Sequence, residues 1–283
     1  MCGNEVQTGS IVMDPDIPGG VYLCQVSETV SCGACCGLYN VSGLSRDDLS
    51  PLLERRTQRF AGVDARNLDA ILSFRQWVED NEPQARPLPE FHHCPYIGLI
   101  GPNASRPGCL LHPLGNDGLD LRGISDYGGL ACRTYFCPTH NQLSADIKIL
   151  IRSAARDWFE YGLIITESPL IQAILDASRV SSVCWKDKPV PDPDFCLEIV
   201  RELMDLKQSW PYRSDAATGQ IHYFFNDNLY VRPSMDYAAM GAAPSPYDRI
   251  FRELGSGFAS IQALREAEAV MANFLKRAAL LHP

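Results

Sequence analysis

Three absences narrow what this 283-residue chain can be. No stretch approaches the ~18 consecutive apolar residues of a membrane span, so no membrane partner is expected. Basic residues are in the minority: 25 Lys and Arg face 34 Asp and Glu, a formal net charge of -9. Phosphate backbones are held by net basic surface, so a broad nucleic-acid footprint is not expected either. Neither G-x-G-x-x-G, a P-loop nor H-E-x-x-H occurs, which withdraws the most direct sequence routes to dinucleotide, nucleotide and zinc-protease chemistry. Residues Met1 to Ser10 lack the basic-then-apolar order of a secretory signal, and the expected location is the cytoplasm. Internal repeats and low-complexity tracts are missing too.

What is present is the composition of an ordinary folded protein, 46% hydrophobic and 21% charged, with enough length for one large domain or two modest ones. Cysteine is the exception, at eleven residues. In a reducing compartment clustered thiols bind metals or perform redox chemistry more often than they form structural disulfides. Seven of the eleven, with four of the six His, fall between Cys32 and His140. Cys32 and Cys35 stand at the two-residue gap that lets two thiolates from one turn reach one ion, and Cys36 adds an adjacent sulfur whose side chain diverges from that of Cys35. The others come as Cys94 in H-H-C-P-Y, Cys109 in G-C-L-L-H-P, and Cys132 with Cys137 in C-R-T-Y-F-C-P. Thiolates suit both zinc and iron-sulfur clusters. Sulfur dominance, and Pro after Cys94 and Cys137 as in some ferredoxin motifs, incline the reading toward iron-sulfur. Seven sulfurs exceed the four of one site, which leaves room for a binuclear arrangement or a spare redox thiol.

The order C-x-x-C-C, C-P-Y, C-L-L-H-P, C-R-T-Y resembles the cysteine-cluster proteins described as a zinc- or iron-chelating domain, the YkgJ-like or CxxCxxCC group. The likeness covers roughly residues 28 to 140. The family's leading Cys would fall at position 29, here Thr29, with Cys24 upstream at another spacing, and Cys132-Arg133 lies well downstream of Arg106-Pro107. The resemblance implies metal binding; some relatives look like flagellin-lysine methylases with an iron-sulfur centre. A redox or methyl-transfer enzyme and a structural zinc-binding module for interaction or maturation are both compatible with it, as is a protein partner.

Other chemistry-bearing residues have plainer readings beside the functional ones. Cys196 lies on an apolar helical stripe and Cys184 precedes Trp185, so both read as core. His112, three residues after Cys109, is the foremost histidine candidate for ligation, with His92, His93 and His140 as ligands, as donors to ligands or as ordinary loop residues. Arg133 either donates to sulfur or caps a carbonyl. Tyr135 and Trp77 read as core, and Gly128-Gly129 as a turn. Met1-Cys2-Gly3 resembles an N-terminal nucleophile only until Asn4, where an apolar strand does not follow.

Helical periodicity dominates elsewhere. Ser45 with Asp48 resembles a capping box ahead of Leu49, Leu52, Leu53 and Phe60. A second helix is expected near Asp64 to Asp80 on Leu68, Ile71, Leu72 and Val78. Beyond Leu143 one helix is expected through Trp158, another capped by Ser168, a third carrying Cys196 to Leu203, and a last one carrying Ile261 to Ala278. Residues 21–26 read as a short strand and 221–233 as a hairpin. Residues 91–140, without either period, read as lacking a conventional core and ordered by metal. The expected fold is mainly α with a small β component: a cysteine-cluster domain over residues 20–142 with loop-rich, metal-ordered segments, packed on a mostly helical domain over 143–283.

Overall fold

The computed structural model describes residues 13–39, 45–82, 93–181, 192–214 and 234–279. Cys2, the 221–233 hairpin, His92 and Cys184 lie outside the described residues. Among the described residues the fold is mainly helical with one small two-stranded antiparallel sheet.

The first helix, α1 (Arg46–Phe60), opens with the capping box expected of it: Ser45 Oγ accepts from Asp48 N, and the Asp48 carboxylate accepts from Ser45 N. Its buried stripe is Leu49, Leu52, Leu53, Arg56 and Phe60. The second, α2 (Leu68–Asn81), starts later than periodicity indicated, because Asn67 caps it by accepting from Asp69 N and Ala70 N. The face it buries is Ile71, Phe74 and Val78, while Leu68 and Leu72 point to solvent.

The irregular stretch has an apolar core of its own, contrary to the expectation from its lack of period. Strands β1 (Ile97–Ile100) and β2 (Arg106–Cys109) pair antiparallel with Ile97 opposite Cys109. Tyr96, Leu110, Leu111 and Leu121 pack with Phe60, Ile71, Phe74 and Val78 from the two helices. Phe74 stacks on Tyr96 at 5.8 Å, and Tyr96 Oη donates to Ile71 O. Arg56, 1% exposed, ties this unit together. Its guanidinium pairs with both Glu82 carboxylate oxygens and donates to the carbonyls of Cys94 (3.0 Å) and Ile97 (3.2 Å). Short helices α3 (Gly129–Thr134) and α4 (Thr139–Gln142) follow.

The remaining helices are α5 (Ala145–Ala154), α6 (Trp158–Ile165), α7 (Ser168–Ser181), α8 (Pro193–Ser209), α9 (Asp248–Glu253) and α10 (Ile261–Ala278). The single helix expected through Trp158 breaks after Ala154, since Asp157 caps a new one by accepting from Phe159 N and Glu160 N. At α7 the Glu167 carbonyl accepts from Ile171 N, so Ser168 lies inside the first turn and donates its hydroxyl to Gln142 instead of capping. Cys196, Ile199, Val200 and Leu203 on α8 are buried as expected, as are Leu264, Met271, Phe274, Leu275 and Ala278 on α10.

The two halves interlock. Val21, Leu23 and Val30 pack into the core built by α5 to α10, and Tyr161 Oη donates to Leu23 O at 2.8 Å. In return Trp158, Phe159 and Leu163 pack with Leu38, Leu49, Leu53 and Ile97. The strand expected over 21–26 is replaced by a single antiparallel bridge, Gln25 with Ser31.

Candidate metal centre

The C-G-A-C-C segment folds as a tight 3-10 turn, Ala34–Cys36, closed by Gly37 at φ 78° with its N–H donating to Ala34 O. That left-handed conformation strains any residue with a Cβ. At Gly33 a Cβ would stand 2.7 Å from Leu38 Cδ2 and 2.8 Å from Ile97 Cδ1, so a larger residue there would have to displace two buried side chains. The turn is thus pressed against β1, and the Cys36 carbonyl accepts from Cys94 N at 2.8 Å.

The other sulfurs arrive on distinct supports. Cys94 is buried at the start of the segment clamped by Arg56, and its carbonyl accepts from Ile97 N. Cys109 ends β2 opposite Ile97. Cys132 sits in α3, with Ser125 Oγ 3.0 Å from its sulfur and Arg122 donating to its carbonyl at 3.5 Å. Cys137 Sγ is 3.4 Å from His140 Nδ1. Cys32, Cys36 and Cys137 pack with Tyr135 on the core around Leu38 and Trp158. Cys36, Cys94 and Cys109 belong with Ile124 and Tyr127 to the neighbouring core around Phe74 and Tyr96. Every cysteine among the described residues is a free thiol.

Spacing passed over Cys24. Its carbonyl accepts from Cys32 N at 2.8 Å across a hairpin whose turn is held by Ser27 Oγ, which accepts from Thr29 N and Val30 N. The hairpin is anchored to β2, where Pro107 O accepts from Ser31 Oγ and Gln25 Nε2. A turn-forming Ser27 between two cysteines was the available sequence signal.

Burial and neighbouring thiols together set the acidity of each cysteine. Burial pushes Cys24 and Cys32 well above the ordinary thiol range, with the charges of Cys35 and Cys137 adding to it. Burial also raises Cys94 to about 12 and Cys109 to about 11; Asp126 adds to the first and Cys132 to the second. Cys137 is raised by burial, then by Cys35. The Cys36 S–H donates to Cys35, which holds Cys35 below and Cys36 above the usual value.

Among the described residues, no three His, Cys, Asp or Glu side chains are gathered into a ready-made single-ion site. The histidines are engaged locally. His112 Nδ1 accepts from Leu114 N and caps the next turn, which assigns that nitrogen to the backbone. His93 Nδ1 lies 3.2 Å from Arg56. His140 is fully buried beside Cys137, and its Nε2 has no hydrogen-bond partner among the described residues. Arg133 donates to Asp120, not to sulfur. Tyr135 and Trp77 pack against cores, and Gly128, at φ 78°, turns the chain into α3.

Compared with known protein families, with curated proteins and with solved structures, the chain shows no match.

Proposed function

We propose that this chain is a metal-binding protein that holds an iron-sulfur cluster, or zinc, through its cysteines. The observation that supports the reading is proximity: Cys32, Cys36 and Cys137 pack on one core, Cys36, Cys94 and Cys109 on the neighbouring one, Cys35 stands beside Cys36 in the turn, the charges of Cys132 and Cys35 act on Cys109, and none of these thiols is spent in a disulfide. Buried thiols dispersed for packing alone need not meet. The donor set fits, because thiolate is the ligand shared by zinc and iron-sulfur centres. Resemblance of four motifs to the YkgJ-like group points the same way.

When bound, an iron-sulfur cluster supplies one-electron chemistry and zinc supplies structural closure or Lewis acidity. The chain contributes a rigid frame: the Ala34–Cys36 turn is fixed by Gly33 and Gly37, and the Cys94 segment by Arg56. A recess of about 1090 Å³ opens between Phe60–Ile71 and Gly115–Ile124. Its wall residues Leu121 and Ile124 also pack in the core that holds Cys94 and Cys109. For a redox or group-transfer enzyme this is the place to seek a substrate.

The test is metal and acid-labile sulfide content, with a visible spectrum, on protein purified without oxygen. Iron with matching sulfide supports the cluster; zinc without colour supports the closed site. Protein that contains no metal and takes up neither zinc nor iron with sulfide overturns the proposal.

A further inference from the structure

We infer that this chain self-associates: two copies pack through the recess between Phe60–Ile71 and Gly115–Ile124, the exposed Leu114 of each entering the recess of the other. The inference is independent of the metal-binding reading.

The recess is suited to an apolar group. Phe60, Ile71 and Leu121 in its wall are buried, while Leu68 and Leu119 are 54% and 41% exposed. Leu72, one turn after Leu68 on α2, is exposed as well. Leu114, next in sequence to the lining residue Gly115, is 92% exposed, the most exposed large apolar side chain among the described residues. Leucines left in water around one recess mark a contact surface, whereas single exposed ones need no explanation.

The loop that presents Leu114 is held rigid. Leu114 N donates to His112 Nδ1, Gly115 N to His112 O, and Gly118 N to Pro113 O at 2.9 Å. The buried Asn116 amide donates to Leu110 O and His112 O. Asp117 and Gly118 both adopt left-handed backbone, φ 51° and 83°, which turns the loop before Leu119. A knob fixed in this way loses little freedom on docking.

Charge decides what the recess fits. Asp64 and Arg66 lie on one wall and Asp117 on the other. The Asp64 carboxylate accepts from Arg66 N, and none of the three side chains has an ion-pair partner among the described residues. A purely apolar ligand leaves Arg66 and Asp117 unanswered, and a ligand of one sign answers only one of them. A copy of the same surface answers both. A two-fold axis sets the 60–71 wall of one copy against the 115–124 wall of the other, so that Arg66 meets Asp117 twice and knob meets recess twice, as an isologous contact requires. The net charge of -9 opposes association at long range. It is screened beyond about 8 Å at physiological salt, where the pairs within the contact decide.

The experiment is sedimentation velocity over a concentration series, on the full chain at physiological salt with a thiol reductant, with and without a chelator. A mass that rises with concentration from 31.4 kDa toward twice that value is expected in both conditions. Leu114→Asp, Arg66→Asp and Asp117→Arg are each expected to weaken the dimer by at least about tenfold, since each sets a like or unanswered charge in the contact. Arg66→Asp mixed with Asp117→Arg is expected to form a heterodimer, and the double variant to recover self-association. Circular dichroism checks folding, which these exposed positions leave intact. Wild type that stays monomeric up to about 100 μM overturns the inference and leaves the recess to a substrate or another partner. A dimer indifferent to the three substitutions, one not recovered by the charge exchange, or one seen only with metal present overturns it too. None of these outcomes alters the metal and sulfide content on which the metal-binding reading is tested.

Discussion

The two halves of this chain solve the same problem with different means. In the helical half, α5 to α10 bury continuous apolar stripes, and a charged pair, Lys207 with Glu167 at 3.0 Å, sits inside the packing with Lys207 also donating to Glu253 O. In the cysteine-bearing half the longer helices are α1 and α2, α3 and α4 span only six and four residues, the strands are four residues long, and the buried charge reaches further. Arg56 satisfies a carboxylate and two carbonyls of the segment that carries Cys94. Planar guanidinium geometry lets one side chain fix several acceptors at once, which a lysine does less well. Where secondary structure is short, a polar clamp substitutes for helical periodicity in ordering the chain. The thiols are then left free for another task.

The largest effect that separates the halves is expected at that clamp. Arg56→Ala removes a guanidinium from a buried carboxylate and two carbonyls, and such a loss costs about 3–5 kcal/mol. Urea titration is the measurement, and bound metal should fall with stability because the Cys94 segment loses its anchor. Lys207→Ala is expected to destabilise through the same physics while leaving metal content intact in the protein that remains folded. Equal loss of metal in the two variants would show that the cysteine region depends on global stability and not on a local clamp.

Next come the two apolar cores. Phe74→Ala and Met271→Ala each empty a fully enclosed site, 2% and 1% exposed, and are expected to cost about 3 kcal/mol apiece. The comparison lies in the metal-free protein. If residues 93–121 are held by the Phe60, Phe74 and Tyr96 core, chelation leaves them packed, and Phe74→Ala destabilises apo and metal-loaded protein alike. A Phe74→Ala effect visible only with metal bound would restore the picture, drawn from sequence, in which metal alone orders this segment. Amide hydrogen exchange at Ile97 to Cys109 distinguishes the cases.

How much of this was legible follows from the same division. Leu49, Leu52, Leu53 and Phe60, and the stripe from Cys196 to Leu203, announce their helices because the partners of each residue lie one turn away. The concentration of seven cysteines in short motifs with Gly and Pro was legible, and their binding a metal is the proposal made above. Cys24 was not, since it meets Cys32 through a hairpin whose pairing is a single bridge. Nor was the core of residues 93–121, because Tyr96, Leu110, Leu111 and Leu121 have no period among themselves and find their partners on α1 and α2. The break between α5 and α6 escaped for a local reason: Asp157, a capping residue, sits inside an unbroken apolar rhythm, and Trp158 belongs to a different core from Ile151.

Helix caps give the smallest and most controlled form of the comparison, because both lie in the cysteine-bearing half and only one was legible. Ser45 with Asp48 is a reciprocal pair on an exposed turn, whereas Asn67 works alone, accepting from Asp69 N at 3.0 Å and Ala70 N at 3.2 Å. Loss of such a cap costs about 1 kcal/mol, so Ser45→Ala and Asn67→Ala should shift the urea midpoint by similar small amounts. Their consequences for metal should differ. Asn67 sets where α2 begins and hence the register of Ile71 and Phe74 against Tyr96, one layer from Cys94 and Cys109. Asn67→Ala is therefore expected to weaken metal retention in a chelator competition at matched stability, and Ser45→Ala is not. Identical retention in the two would mean that the α2 register does not reach the sulfurs.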